Sequence, residues 1–184
     1  MAYKRKILLD DGTHVTIEQL TGKEDAKDFQ QLINPIIKEG AFILRDMPVS
    51  LAEEKKWLAE RIDANKKGNE IFLKALMEGN LIGCCNATQG RFMEKGNVDL
   101  GIMLDKRWRG KGIGKLLLEE SIALSKKKWK PKNIYLMVVS ENKEAVKLYT
   151  FLGFRVAAVL SSWINRKGRY YDLLIMTQKS NTPT

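Results

Sequence analysis

The sequence predicts a mixed α+β domain built on one mostly antiparallel sheet of about seven strands. Three observations carry that expectation. Segments of period-two or short apolar pattern alternate with segments of helical period in the order β-α-α-β-β-β-α-β-α-β-β. Hairpin signals flank a single strand–helix–strand unit in the middle of the chain, which argues for a mixed sheet rather than a doubly wound parallel one. The 184 residues, 44% hydrophobic, fit one domain, 1–184, with a core over about 13–178.

Each element has a local reason. "THVTIEQL", 13–20, alternates as a strand. Residues 23–38 place Phe29, Leu32, Ile33, Ile36 and Ile37 on one helical stripe, which Pro35 is expected to kink or divide. "EGAFILRDMP" is a loop, apolar for its position. Ser50 with Glu53 three residues on forms a capping box ahead of a helix carrying Leu51, Trp57, Leu58 and Ile62. Residues 70–78 and 81–89 are strands around Gly79-Asn80, a hairpin signal. "NVDLGIML", 97–104, puts Val98, Leu100, Ile102 and Leu104 on one face and Asp99, Gly101 and Met103 on the other. A helix then runs from the glycines of "RWRGKGIGKLLLEE" to about Lys128. After Pro131, "NIYLMVV", 133–139, reads as a short strand buried on both faces. Glu141–Leu152 is a helix ended by Gly153. Strands 154–164 and 169–178, joined by "NRKG", close the core, and the tail from 179 to 184, with "SNTPT", is expected to fray.

Composition narrows the function. No apolar run approaches about 18 residues, so no membrane span is expected. Asp10 and Asp11 interrupt the N-terminal "MAYKRKILLDDG", with no cleavage-like site, so a signal peptide is not expected either. Cys84 and Cys85 are adjacent and would point to opposite faces of a strand; with no spaced cysteine pairs, a reducing, cytoplasmic setting fits. One histidine, His14, and no cysteine cluster speak against a transition-metal site. The net charge is +10, and residues 105–132 hold ten Lys and Arg against three acids. A polyanion, either nucleotide-like or nucleic acid, would suit that excess. Lys126 to Lys130 also fall where cations complement a helix C-terminus, so both readings of that run stand.

Three constellations could carry chemistry. Gly110, Gly112 and Gly114, among Arg107, Arg109, Lys111 and Lys115, stand where a helix begins with unpaired N–H groups, a setting for phosphate. Their spacing fits neither the P-loop nor the dinucleotide fingerprint. Asp99 shares its strand face with Gly101, which leaves that face bare for a ligand; a half-buried carboxylate there can act as a base, or merely pair with a lysine or cap a turn. Asn142, Ala145 and Tyr149 form one helical stripe, with a hydroxyl placed to donate a proton or simply packed in the core.

"RWRGKG" resembles the Arg/Gln-x-x-Gly-x-Gly/Ala signature of the GNAT superfamily of N-acetyltransferases, and Asn142, Ala145, Tyr149, Gly153 and Phe154 resemble its second signature. The resemblance implies a sheet with a splayed parallel pair, helices on both faces, and acetyl-CoA as acyl-donor co-substrate in the splay. It implies that the pyrophosphate rests on backbone N–H groups of Arg109, Gly110, Lys111, Gly112, Ile113 and Gly114, with Lys115 beside them. The pantetheine arm would follow the strand ending at Met103 and Leu104, oxyanion donors would lie near Met103, and Asn142 would bond the arm where Ala145 leaves room. Tyr149 would protonate the departing thiolate, and Asp99 matches a basic carboxylate of some members. The amine attacks directly, so Cys84 and Cys85 are not needed as nucleophiles. "GRYYDLLIM" resembles the small-molecule and amino-terminus acetylating branches, with Asp172 near the usual aspartate. The acceptor, an amino acid, a polyamine or a protein N-terminus, would lie between Ala41–Leu44 and the hairpin near Trp163–Tyr170. Phe42, Ile43 and Leu44 would line that pocket or plug the core. The final strands could pair two copies into a homodimer. The rival reading is a basic RNA- or ribosome-associated binding module with a vestigial CoA site, motivated by Lys126 to Lys132 and Trp129; the lack of repeated exposed aromatics disfavours nucleic acid.

Overall fold

The computed structural model describes residues 3–179. Its strands are β1 (Lys4–Leu8), β2 (His14–Gln19), β3 (Glu70–Met77), β4 (Asn80–Gln89), β5 (Asn97–Leu104), β6 (Asn133–Val139), β7 (Arg155–Arg166) and β8 (Arg169–Lys179). Its helices are α1 (Ala26–Lys38), α2 (Leu51–Lys66), α3 (Ile113–Trp129) and α4 (Lys143–Phe151). The strands form one sheet in the order β1-β2-β3-β4-β5-β6-β8-β7.

Period-two alternation in the central strands gives each face its own core. Ile71, Leu73 and Ala75 of β3, Cys85 and Ala87 of β4, and Val98 and Leu100 of β5 pack with Leu117, Leu118 and Ile122 of α3 and Tyr149 of α4. Phe72 and Cys84 pack on the opposite face with Phe29, Leu32 and Ile36 of α1 and Leu58 of α2. The adjacent cysteines therefore belong to different cores, and both are free.

Neighbouring strands are antiparallel except β5 and β6. These pair in parallel only over Asn97–Asp99 and Asn133–Tyr135, then part. Every strand residue directs its backbone groups sideways toward a neighbour. Beyond Asp99 the facing edges of β5 and β6 lack that partner, and the gap is the sheet's one internal break among the described residues.

The capping box forms as expected: Ser50 Oγ accepts from the Glu53 N–H at 3.3 Å, and the Glu53 carboxylate accepts from the Ser50 N–H at 2.9 Å. At the end of α4, Gly153 takes φ 85°, with the Phe154 N–H on the Tyr149 carbonyl and the Gly153 N–H on the Thr150 carbonyl. This is a Schellman stop, which explains why glycine stands there.

Several expectations need correction. The sheet has eight strands, because Lys4–Leu8 forms β1. Its consecutive cations, Lys4 to Lys6, are exposed, while Ile7 packs on the core. Pro35 neither divides nor ends α1, which is continuous through it. The β3–β4 hairpin turns at Glu78-Gly79, both at positive φ, with Met77 paired to Asn80. Asn142 caps α4 instead of lying within it. β6 is not buried on both faces, since Met137 is 44% exposed. Lys179, expected to be frayed, ends β8; the rest of the expected fraying, 180–184, lies outside the described residues.

Candidate active site

The gap between β5 and β6 opens beside the start of α3. Gly112 caps that helix at φ 82°, with no side chain bonded to the turn, and Gly110 takes φ 77°. A Cβ at either position would meet nothing within 4 Å, so glycine here provides a left-handed backbone beside open space. The first helical bond runs from the Leu116 N–H to the Gly112 carbonyl at 3.1 Å. The N–H groups of Ile113, Gly114 and Lys115 precede it and have no helical acceptor. Gly114 sits low against the strand, where a Cβ would lie 3.7 Å from both Ile102 and Leu148. The result is an uncapped, partly positive helix end opening on the gap, a cradle for an anion.

The four cations around the turn are less available than their spacing suggests. Arg107 pairs with Asp105 at 2.6 Å. Arg109 donates from Nε to the Leu104 carbonyl at 3.0 Å and pairs with Glu39. Lys111 reaches Asp11 at 2.7 Å and lies 5.4 Å from the Trp108 ring centre. That contact holds the Asp11 carboxyl well below the usual range. Lys115 lies over the Phe151 ring at 4.8 Å. An incoming phosphate therefore meets backbone donors first and competes for cations already engaged.

Across the gap, α4 presents the second group. The Asn142 Oδ1 accepts from the Ala145 N–H at 3.4 Å, which leaves its amide NH2 as a donor. Ala145 is half-buried. Tyr149 is 7% exposed and meets Phe154 edge-on at 6.2 Å. Burial holds its phenol well above the ordinary value, so it keeps its proton at any physiological pH. The same cause pushes the Cys85 thiol up to about 12 and the Cys84 thiol higher still. Neither is a competent nucleophile.

Asp99, Gly101 and Met103 point to the opposite face. Burial raises the Asp99 carboxyl to about 6, partly offset by a backbone hydrogen bond at Leu100. The space over Gly101 is not bare, as the sequence suggested. A Cβ there would lie 2.6 Å from Asn86 Oδ1. Asn86 donates to Thr88 Oγ1 at 3.2 Å, and Thr88 donates to the buried Glu70 at 3.1 Å, which also takes Arg61 at 3.1 Å. Sequence reasoning missed this chain, although Glu70, Asn86 and Thr88 are polar residues at period-two positions of otherwise apolar strands.

The loop after α1 and the last hairpin meet on that same face. Phe42 stands edge-on to Tyr171 at 5.6 Å, and Arg166 Nη1 donates to the Gly40 carbonyl at 2.5 Å. Ala41 and Ile43 pack onto the α1/α2 core, whereas Leu44, Trp163 and Tyr170 are exposed. Of the loop residues, Ile43 plugs the core and Phe42 forms a wall. Trp129, invoked for nucleic acid, donates its indole N–H to the Gly68 carbonyl at 3.1 Å and packs on the core beneath Lys128. Its indole N–H is thus engaged and its ring partly buried.

Among the described residues, no helix is long and apolar enough to cross a membrane, and no group of three or more His, Cys, Asp or Glu is placed to hold a metal.

Known proteins resemble the chain in sequence and in fold. The chain is 27% identical over 107 residues to an L-amino acid N-acetyltransferase of Escherichia coli, a stretch covering 58% of this chain and 66% of that protein. It is 36% identical over 85 residues to a spermine/spermidine N(1)-acetyltransferase of Bacillus subtilis, covering 42% of this chain and 55% of the relative. The chain thus spans less than two thirds of the length of either curated relative. A phosphinothricin acetyltransferase of Sinorhizobium meliloti, solved in complex with AcCoA, has the same fold: TM-score 0.77, 22% identity, 92% of this chain and 93% of that one covered. The family model for the acetyltransferase (GNAT) family matches residues 41–154, from the loop after α1 to the Schellman stop of α4. That span holds the splayed strands, the glycine-capped helix and Tyr149, and the chain belongs to the acetyltransferase (GNAT) family.

Proposed function

We propose that the chain transfers the acetyl group of acetyl-CoA directly to a primary amine. The observation that carries this reading is the gap between β5 and β6, with an uncapped helix end at its mouth, Tyr149 on one face and Asp99 on the other. Acetyl-CoA, when bound, supplies an activated acyl group on a thiol leaving group. The donor set fits it: free N–H groups from Gly112 to Lys115 for the pyrophosphate, the β5 edge facing the gap near Met103 and Leu104, where among the described residues only Arg109 reaches the Leu104 carbonyl, for the amide-bearing arm, and the Asn142 NH2 beside Ala145. The amine reaches the gap from the α1/α2 face, where Asp99 takes its proton. Its nitrogen bonds the carbonyl carbon while backbone donors of β5 near Met103 hold the developing oxyanion. The carbon–sulfur bond breaks, and Tyr149 gives its proton to the sulfur. The relatives' names support an amine acceptor, one acting on amino acids and one on polyamines. The free, buried cysteines support a reducing, cytoplasmic setting.

Gly112→Ala tests the cradle. The added methyl meets no protein atom, so the fold loses only the left-handed strain of about 1–2 kcal/mol. Acetyl-CoA, by contrast, must approach that backbone closely. Calorimetric titration is expected to show at least about tenfold weaker binding, with the melting curve still cooperative. Equal affinity in variant and wild type would remove the glycine turn from the site.

β7 is one of the two edges of the sheet and exposes Val156, Val159 and Trp163, which supports pairing of two copies along it. Sedimentation equilibrium is expected to return a dimer that Val159→Lys converts to monomer; a wild-type monomer at all concentrations would refute it.

A further inference from the structure

On the face away from α3 and α4, the sheet is open to solvent at the middle of β6. β6 lies between β5 and β8, yet Met137 in its middle is 44% exposed. Phe42 and Tyr171 meet on this same face. Beside β6 the face holds a cavity of about 260 Å³ lined by Glu94, Asn97, Asn133, Tyr135, Ile175 and Thr177. Asp99 stands in register with Tyr135, two residues along β5 from Asn97.

This cavity is built rather than left over. Asn133 Nδ2 donates to Asn97 Oδ1 at 2.9 Å across the β5/β6 pair, fixing both amides at its floor. Glu94 hangs over it from a short helical turn, Phe92–Glu94, that folds back on β4. A Cβ at Gly90 would run into the Glu94 carbonyl, so glycine is what permits that fold. The lining is chemically one-sided. It offers a carboxylate, two side-chain amides and two hydroxyls, and no Lys or Arg, in a chain whose net charge is +10. Burial raises the Tyr135 phenol, and the nearby Asp99 and Glu94 charges add to the rise.

We propose that this cavity holds the second ammonium group of a diamine acceptor whose first nitrogen stands at Asp99. This rests on the acetyl-transfer reading above and narrows it. An ammonium carries three donors and no acceptor, matching a lining rich in oxygen. A carboxylate placed there would face Glu94 and Asp99 unpaired, so an α-amino acid cannot set its carboxylate in this cavity. The span from Asp99 to Asn97, two strand residues or about 6.6 Å, suits nitrogens separated by a short alkyl chain of about four methylenes.

The test compares 1,4-diaminobutane, n-butylamine and a panel of L-amino acids as acceptors at saturating acetyl-CoA. Calorimetric titration of 1,4-diaminobutane into the free chain runs alongside. The expected kcat/KM for the diamine exceeds that for the monoamine at least about tenfold, since only the diamine gains charge-assisted bonds in the cavity. Glu94 is exposed, so Glu94→Gln leaves the fold intact. It is expected to cut the diamine-over-monoamine preference and the calorimetric affinity for the diamine each about threefold or more. Equal kcat/KM for the two amines, or a preference untouched by Glu94→Gln, overturns the proposal. Turnover of amino acids without preference for the diamine overturns it too and leaves acetyl transfer standing. No turnover of any amine together with no binding of acetyl-CoA overturns both.

Discussion

Replacing Tyr149 with phenylalanine is expected to lower kcat about 10²-fold while leaving the dissociation constant for acetyl-CoA within about twofold. The substitution removes one oxygen. The ring keeps its place against Phe154 and the core of β3, β4, β5 and α3, so the fold and the walls of the gap are retained. What disappears is a proton held on a phenol by burial. The size of the effect follows from the leaving group. A thiol of ordinary pKa about 8.5 departs tolerably well as thiolate, which places the loss at the lower end of the usual range for general acids. The deficit should therefore shrink when the acyl donor carries a more acidic thiol. Steady-state rates with both donors check this. An unchanged kcat would take Tyr149 out of the mechanism, and an equal deficit with both donors would make its role packing alone.

The second large effect is expected at Asp99, where activity and stability should move in opposite directions. The carboxyl sits near 6 because burial disfavours its charge. As a base it works only when ionised, so kcat/KM is expected to rise with pH through about 6. Asp99→Asn should abolish that acid limb and cost about 10²–10³-fold at pH 7. Stability has the opposite sign. A carboxyl whose folded pKa is raised binds its proton more tightly when folded, so its contribution is fully present below the unfolded value near 3.9. That contribution is lost as pH rises through about 6. At pH 7 the ionised group is a burden of about 1–2 kcal/mol, reduced by its partial exposure to water. Asp99→Asn should thus raise Tm by about 3 °C at pH 7 and by little near pH 4. Melting curves at the two pH values, set beside the pH–rate profile, check the pair. A Tm lowered at pH 7 would mean that the carboxylate is held by a partner and is no base.

Such a trade of stability for chemistry was partly legible in the chain. Signals carried within a few residues read correctly: the Ser50/Glu53 capping box, the Gly153 stop, and the two faces of β5, which put Asp99 opposite Leu100. Features made by distant partners did not. Lys111 and Asp11 meet across 100 residues, and Arg109 meets Glu39, so the glycine turn looked more cationic in sequence than it is in space. The cover over Gly101 comes from Asn86 on the neighbouring strand, and period-two reasoning applied to one strand leaves that position empty. β6 misled for a related reason. An apolar run signals a strand suited to burial, but whether Met137 is covered depends on where α1 and α2 end, and they pack over Phe72 and Cys84 instead. β1 escaped notice because three consecutive cations, Lys4 to Lys6, hide the period-two set Tyr3, Ile7 and Leu9 that packs on the core.

The central claim is that acetyl-CoA lies in the gap between β5 and β6 with its phosphates on the uncapped start of α3. Amide hydrogen exchange with and without acetyl-CoA tests it most directly, because the claim concerns particular N–H groups. Slowed exchange is expected at residues 110–115 and along 101–104, with the C-terminal lysines of α3 unchanged. Saturating acetyl-CoA that left exchange at 110–115 untouched, or slowed it at Lys126 to Lys130 instead, would contradict the account.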